Sequence, residues 1–132
     1  GFFAGIFGPA RNGLITMGHW SPLRKDWPNA KKYYDDYTAR WKQPPDTLDA
    51  PLVFMSAEIL EQAVAKAGTN RDKLRSVISS ATFETINGPV RFKGVENVIT
   101  PTMMSQIQNG QTHIIWPPDQ ATAKIISKPA WK

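Results

Sequence analysis

The sequence predicts an α/β fold in which helices pack on mainly parallel strands, with a β-hairpin near the C-terminus. Two stretches carry apolar residues at helical spacing, one after Pro28 and one after Asp49. Residues 14–17 form a short, fully apolar run of the kind found in a buried strand. Asn109-Gly110 lies between two strand-like segments and is the strongest hairpin signal in the chain. These patterns together indicate helices packed on a sheet.

The composition is that of a globular protein with a modest basic excess. Lys and Arg number 16 and Asp and Glu number 11, which gives a formal net charge of +5. The basic residues are scattered, whereas a groove that tracks phosphates needs them gathered on one side, so we expect no nucleic-acid partner. The absence of cysteine excludes disulfides and thiolate metal ligands. No apolar run approaches the ~20 residues that a membrane-spanning helix needs.

The first long helix is predicted to begin after Asp26, which suits an N-cap, with Pro28 in its first turn. It ends near Lys42, because the following Pro44-Pro45 cannot continue a helix. Its aromatic residues four positions apart are Tyr33, Tyr37 and Trp41. This aromatic stripe is expected to be a core-facing or half-buried face rather than a stacking platform for bases.

The stretch 49–92 predicts two helices followed by two strands. Its first helix has a main apolar face and an adjoining apolar flank, with Val53, Leu60, Val64 and Ala67 on the face and Ile59 and Ala63 on the flank. Gly68 suits a left-handed C-cap because it has no Cβ to clash at positive φ. Thr69 and Asp72 have the spacing of a capping box that begins the second helix. The two strands then flank a turn signal at residues 87–89.

The chain contains no motif that specifies catalysis, a cofactor or a metal. His19 and His113 are far apart in sequence, and neither has a second ligand at metal-site spacing. No serine lies in a G-x-S-x-G elbow, and no glycine-rich phosphate-binding pattern is present. The pair Asp35-Asp36 points in different directions on a helix, so solvation explains it better than acid–base chemistry. We therefore expect no metal site and no cofactor.

The most promising loop for ligand chemistry is His19-Trp20, which follows the first predicted strand. In open α/β sheets, ligands usually bind at the carboxyl ends of the strands. In one interpretation, Trp20 supplies an apolar wall and His19 a hydrogen bond to a small ligand. In the other, Trp20 packs under the following helix and His19 is merely solvated. The sequence leaves both interpretations open.

Several segments resemble the C-terminal third of a periplasmic type I solute-binding protein of ABC transporters, in the branched-chain amino acid (leucine/isoleucine/valine) binding family. The most specific are AVAKAGT at residues 63–69 and FETINGPVRF at residues 83–92. The segment QIQNGQTHIIWP at residues 106–117 and the closing Pro-Ala-Trp at residues 129–131 are similar to the C-termini of that family. The resemblance covers almost the whole chain.

The resemblance implies a non-enzymatic protein in which two α/β lobes close around a ligand by hinge motion. The implied ligand is a small amino acid or an aromatic or aliphatic carboxylate, the implied partner is an ABC permease in the membrane, and the implied location is the periplasm. The positions that map to the cleft of such proteins, and that we therefore expect to bind ligand, are His19, Trp20, Asp49 and Phe54. Phe54 is equally suited to the core.

The resemblance also implies that the chain is an incomplete part of a longer protein. Residues 1–92 are expected to be the last part of one lobe, including a strand near the hinge and the helices. Residues 93–132 are expected to be a return segment with the hairpin and the C-terminal tail. The remaining N-terminal part of the protein, with its signal peptide, would complete both lobes. Exposed sheet edges and apolar faces in such a part predict association or domain swapping.

Three alternatives to an importer component stay open from the sequence. A ligand-sensing receptor domain would share the fold but signal in its closed state. A small α/β hydrolase or transferase would use His19 in catalysis. A basic RNA-binding domain would lose affinity steeply as salt increases.

Overall fold

A computed structural model describes residues 2–130, with side chains from Gly5 onward. Trp131, the last residue of the closing segment that resembles the family, therefore lies outside the described residues. These residues form two compact units, one comprising residues 2–18 and 102–130 and the other residues 19–101. The helices are α1 (Phe2–Phe7), a 3-10 turn (Gly8–Arg11), α2 (Pro28–Trp41), α3 (Asp49–Ala67) and α4 (Arg71–Ser80). The strands are β1 (Ile15–Gly18), β2 (Thr82–Thr85), β3 (Gly88–Lys93), β4 (Glu96–Asn97), β5 (Met103–Gln108) and β6 (Gln111–Trp116). The expected division into lobe segments 1–92 and 93–132 stays a prediction.

The first unit contains a three-stranded sheet in the order β1-β5-β6. Asn109 and Gly110 join β5 to β6 with φ values of 51° and 83°. Positive φ at both central residues is what a type I′ hairpin turn requires, so the predicted hairpin is confirmed. The burial predicted for residues 14–17 is wrong, because Ile15 and Met17 are both exposed. Among the described elements only β5 makes extensive contact with β1, so an apolar run here does not mean a covered strand.

The strands pair only in antiparallel fashion within the described residues, so the prediction of mainly parallel strands is wrong for this part of the chain. Thr85 pairs with Gly88, which leaves a loop of two residues between β2 and β3. A loop of that length reverses the chain, whereas a parallel pair needs a crossover of about a dozen or more residues. The mixed helix-and-strand architecture itself is confirmed.

The second unit packs α3 and α4 against the hairpin of β2 and β3. Its core consists of Ile59, Ala63, Phe83 and Val90, flanked by Leu74, Val77 and Ile78 of α4. The buried face of α3 is the one that the sequence analysis took as the flank. Val53 and Leu60, placed on the main apolar face, are 71% and 54% exposed. Because α3 is apolar on two sides, helical spacing alone does not select the side that meets Phe83 and Val90.

The ends of the helices agree with the sequence in position but differ in the residues that cap them. Gly68 ends α3 with a positive φ of 64°, as predicted, but its ψ of −157° lies outside the left-handed helical region, so the predicted left-handed cap is wrong. The N-cap of α4 is Asn70 rather than Thr69, because the Asn70 side chain accepts a hydrogen bond from the Lys73 amide at 3.0 Å. Asp26 does not cap α2, since its carboxylate forms an ion pair with buried Arg24 instead.

Candidate functional site

A groove of about 870 Å³ lies between α2 and α3, within the unit of residues 19–101. We call it the aromatic groove and define it by Tyr33, Tyr37, Trp41, Phe54, Glu58 and Ile86. The ring centroids of Tyr33 and Phe54 are 4.7 Å apart, and those of Tyr33 and Tyr37 are 5.9 Å apart. The row continues from Tyr37 to Trp41 at 6.3 Å. The groove is therefore lined by a continuous row of four aromatic rings.

The aromatic stripe of α2 supplies three of these rings because residues four positions apart share one helix face. Tyr33 is buried and Tyr37 is half-buried, which confirms the predicted burial for both. Trp41 is 56% exposed, so the same prediction is wrong at the end of the helix. Burial raises the pKa of the Tyr33 phenol, with smaller contributions from Tyr37 and Asp46.

Glu58 of α3 lies in the groove beside Ile86, which follows β2. The Ile86 backbone N–H donates a hydrogen bond of 2.9 Å to Glu58 Oε2. Burial raises the pKa of Glu58 above its usual 4.5, and the charge of Glu61 adds to the rise, while the Ile86 N–H opposes it. Glu58 forms no ion pair with any residue that the structure describes. It is thus a partly desolvated carboxylate with its orientation held by the backbone.

Six side chains that are charged at neutral pH line the groove, four of them acidic and two basic. Lys32 forms an ion pair with Asp36, and the Arg40 guanidinium lies 5.1 Å from the centroid of the Trp41 ring. The remaining acidic residues are Asp46, Asp49 and Glu58.

Asp46 precedes α3 and is bonded to the first amides of that helix. Its Oδ1 accepts hydrogen bonds from the amides of Leu48 at 2.8 Å and Asp49 at 2.6 Å, and Ala50 donates to the same carboxylate. Burial alone would raise the pKa of Asp46, but the backbone hydrogen bonds outweigh it and the pKa is lowered.

Trp20 is only 2% exposed and packs against the following helix, α2, as in the second interpretation of this loop. Its indole Nε1 donates a hydrogen bond of 3.2 Å to the Ile86 carbonyl. Its ring meets Tyr33 edge-to-face, with centroids 5.6 Å apart. Trp20 therefore supports the aromatic groove from behind.

His19 is half-buried, and its backbone carbonyl accepts a hydrogen bond of 3.2 Å from Asn87 Nδ2. No hydrogen bond to its imidazole is found among residues 2–130. Asp49 and Phe54 both line the aromatic groove. Phe54 and Trp20 thus both contact the ring of Tyr33. His19 instead contacts the turn after β2, through the hydrogen bond from Asn87.

The sequence analysis missed Glu58 because it looks like any solvated helix carboxylate in the printed sequence. Its position depends on Ile86, 28 residues away. One signal was present, since Phe54 and Glu58 are four residues apart and share a face of α3. Within the described chain, no group of three side chains could hold a metal ion.

The chain matches the family of periplasmic binding proteins over residues 3–112. A leucine binding protein from Thermotoga maritima is similar in structure, with a TM-score of 0.71 and 23% identity over 86% of this chain and 33% of that one. A solute binding protein of an ABC transporter from R. palustris, in complex with benzoate, has a TM-score of 0.67 and 22% identity over 84% of this chain and 31% of that one. A branched-chain amino acid transporter substrate binding protein from Streptococcus pneumoniae, in complex with isoleucine, has a TM-score of 0.66 and 20% identity over 83% and 32%.

These similarities define the class of protein. The chain belongs to the periplasmic binding protein family, which comprises binding proteins rather than enzymes, and its fold is that of the solved relatives. It spans about a third of the length of those relatives. None of the described helices is long and apolar enough to cross a bilayer.

Proposed function

We propose that the protein is the solute-binding component of an ABC importer, which captures a small organic ligand between two lobes by hinge closure. The observation that carries the proposal is the family match over residues 3–112. Solved relatives with the same fold are described in complex with isoleucine and with benzoate. In this proposal residues 1–92 and 93–132 supply the last parts of the lobes, and the remaining N-terminal part supplies the rest.

The proposed solute is an amino acid or an aromatic or aliphatic carboxylate. The residues proposed to face it are His19, Asp49 and Phe54, with Trp20 acting through the rings that it supports. Two features favour these positions: Asp49 and Phe54 border a groove, and His19 carries an imidazole without a hydrogen bond among the described residues. The closed protein would deliver the solute to a membrane permease from the periplasm.

A ligand-sensing receptor domain of the same fold is the second candidate. It makes the same use of the lobes but passes the closed state to a signalling partner. The family match supports both equally, and the presence of a permease or of a signalling domain in the same operon or chain separates them.

Calorimetry on the whole protein that contains this chain tests the proposed function. We expect leucine, isoleucine or benzoate to bind the whole protein and to bind residues 1–132 weakly or not at all, because the chain holds only part of the inter-lobe site. Failure of the whole protein to bind any amino acid or small carboxylate would contradict solute capture. Equal binding by residues 1–132 would contradict a site shared between lobes.

A further inference from the structure

We propose that the aromatic groove binds an organic ammonium ion with an apolar body, such as an arylalkylamine, and that Glu58 is its anionic anchor. The residues that line the groove all lie within residues 19–101, and they include Asp49 and Phe54, which are also proposed to face the inter-lobe solute. The inference shares these two residues with the proposed function and goes beyond it by assigning an ammonium ligand with its own anchor.

The excess of acidic over basic side chains in the groove favours a positively charged ligand. The whole chain has a formal net charge of +5, yet the groove has four carboxylates against two basic groups. Lys32 is neutralised by Asp36, and the carboxylate of Asp46 is engaged by backbone amides. Asp49 and Glu58 remain without an ion pair among the described residues and outnumber Arg40, the second basic side chain of the groove, so the groove is opposite in sign to the protein as a whole.

Glu58 is the carboxylate best placed to anchor the ammonium group. One oxygen is held by the Ile86 N–H at 2.9 Å, so the direction of the other is set before a ligand arrives. Partial burial disfavours the isolated charge, as the raised pKa of the Glu58 carboxyl indicates. An ammonium ion relieves that cost and forms a charge-assisted hydrogen bond, which is stronger than a neutral one.

The aromatic row provides the second half of the recognition. Phe54 lies one helical turn before Glu58, and its ring is 4.7 Å from that of Tyr33. Ring faces attract cations through their quadrupole and also pack against an apolar body. A ligand anchored at Glu58 would therefore extend along Tyr33 and Tyr37 towards Trp41.

The volume favours a small molecule over a protein segment. The groove measures about 870 Å³. Pockets for small ligands span roughly 300–1,000 Å³ and are lined mainly by apolar and aromatic side chains with a few polar groups.

Calorimetry with three probes of similar shape, carried out on the whole protein that contains this chain, tests which ligand charge the groove prefers. The probes are 2-phenylethylamine, 3-phenylpropanoate and 2-phenylethanol, which are cationic, anionic and neutral at pH 7. We expect the amine to bind and the acid not to bind, with the alcohol weaker than the amine by about ten-fold or more because it lacks the ion pair. Equal binding of amine and alcohol, preference for the acid, or no binding of any probe would overturn the proposal.

Substitution of Glu58 tests the anchor. Glu58→Gln keeps an acceptor for the Ile86 N–H while removing the charge, so we expect a folded protein that binds the amine about ten-fold or more weakly. Glu96→Gln is the matched control, because Glu96 is an exposed glutamate on β4 that does not line the groove. Trp41→Ala should weaken binding without unfolding, since Trp41 is half exposed. Unchanged amine affinity in Glu58→Gln would overturn the proposal.

Two further outcomes separate this proposal from its rivals. A dimer that dissociates in Trp41→Ala and excludes the amine would assign the groove to a second copy of the chain and overturn the small-molecule occupant. Loss of amine binding does not touch the proposed inter-lobe function, because that function is judged by amino acid and carboxylate binding to the whole protein.

Discussion

At the scale of single residues, Gly88 has the least room for a side chain of the glycines that the structure describes, because it packs against Trp27. Gly88 begins β3 with φ of 77°, a conformation that L side chains rarely adopt. A Cβ placed on Gly88 would lie 2.4 Å from Trp27 Nε1. Trp27 is buried and holds Arg24 over its ring at 4.4 Å, so the indole cannot move aside freely. The start of β3 thus packs closely against Trp27 at the start of α2 because residue 88 has no side chain.

Replacement of Gly88 by alanine should destabilise the protein more than the same change at Gly94. Gly94 also has positive φ, 65°, but its Cβ would meet no atom within 4 Å. Gly94→Ala therefore measures the backbone cost alone, about 1–2 kcal/mol, and Gly88→Ala adds the clash with Trp27, for a total of about 2 kcal/mol or more. Urea denaturation of the two variants gives the comparison, and equal losses of unfolding free energy would contradict the packing described here.

At the scale of elements, α3 is the helix on which both the core and the groove depend. Ile59 and Ala63 on one side pack against Phe83 and Val90. Other positions of α3 place Phe54 and Glu58 in the aromatic groove. Its start is stabilised by Asp46, whose carboxylate accepts from the amides of the first turn. The position of the groove residues therefore depends on that cap.

Asp46→Ala should destabilise the protein by about 0.5–2 kcal/mol, the usual cost of losing a helix cap, while Asp46→Asn should cost less because it keeps an acceptor. The pKa of Asp46 is lowered in the folded state, so its contribution is complete above the unfolded value of 3.8 and is lost as the pH falls through the folded value. Thermal unfolding of wild type and Asp46→Ala should therefore differ at neutral pH and converge in acid below 3.8. A difference that persists unchanged into strong acid would contradict the cap.

At the scale of the whole molecule, the described residues expose a row of large apolar side chains on the three-stranded sheet. Met17 pairs with Met104, and Met104 pairs with Trp116, so the three residues lie side by side across the strands. All three are exposed, with Met17 at 55% and Trp116 at 50%. Contiguous exposed apolar surface of this kind marks a face that other protein covers.

The 132-residue chain is therefore expected to self-associate in dilute solution. Met17→Lys and Trp116→Lys should each reduce association, because a charge on the apolar row is costly to bury. Val95→Lys is the control, since Val95 is 95% exposed at the turn between β3 and β4 and is absent from the row. Light scattering measures the effect, and a monomeric wild-type chain at all accessible concentrations would contradict the prediction.

Local signals in the sequence were sufficient for the existence and limits of most elements. Gly68, the hairpin turn at residues 109–110 and the helix after Pro28 all lie where the sequence predicted them. Each depends on residues within a few positions, because caps and tight turns are set by local φ and by side chains next to the backbone. The segments AVAKAGT and FETINGPVRF likewise indicated the family that the match over residues 3–112 shows.

The tertiary structure alone decided which faces are covered and which side chains meet. Helical spacing made two sides of α3 apolar, and contact with Phe83 and Val90 selected Ile59 and Ala63 as the buried side. Buried Trp20 donates its indole N–H to the Ile86 carbonyl, 66 residues away. The Glu58 carboxylate in the groove accepts a hydrogen bond from the Ile86 amide, 28 residues away. These outcomes depend on packing between distant segments, which periodicity within one segment does not encode, whereas the sequence by itself determined the elements, their caps and the family.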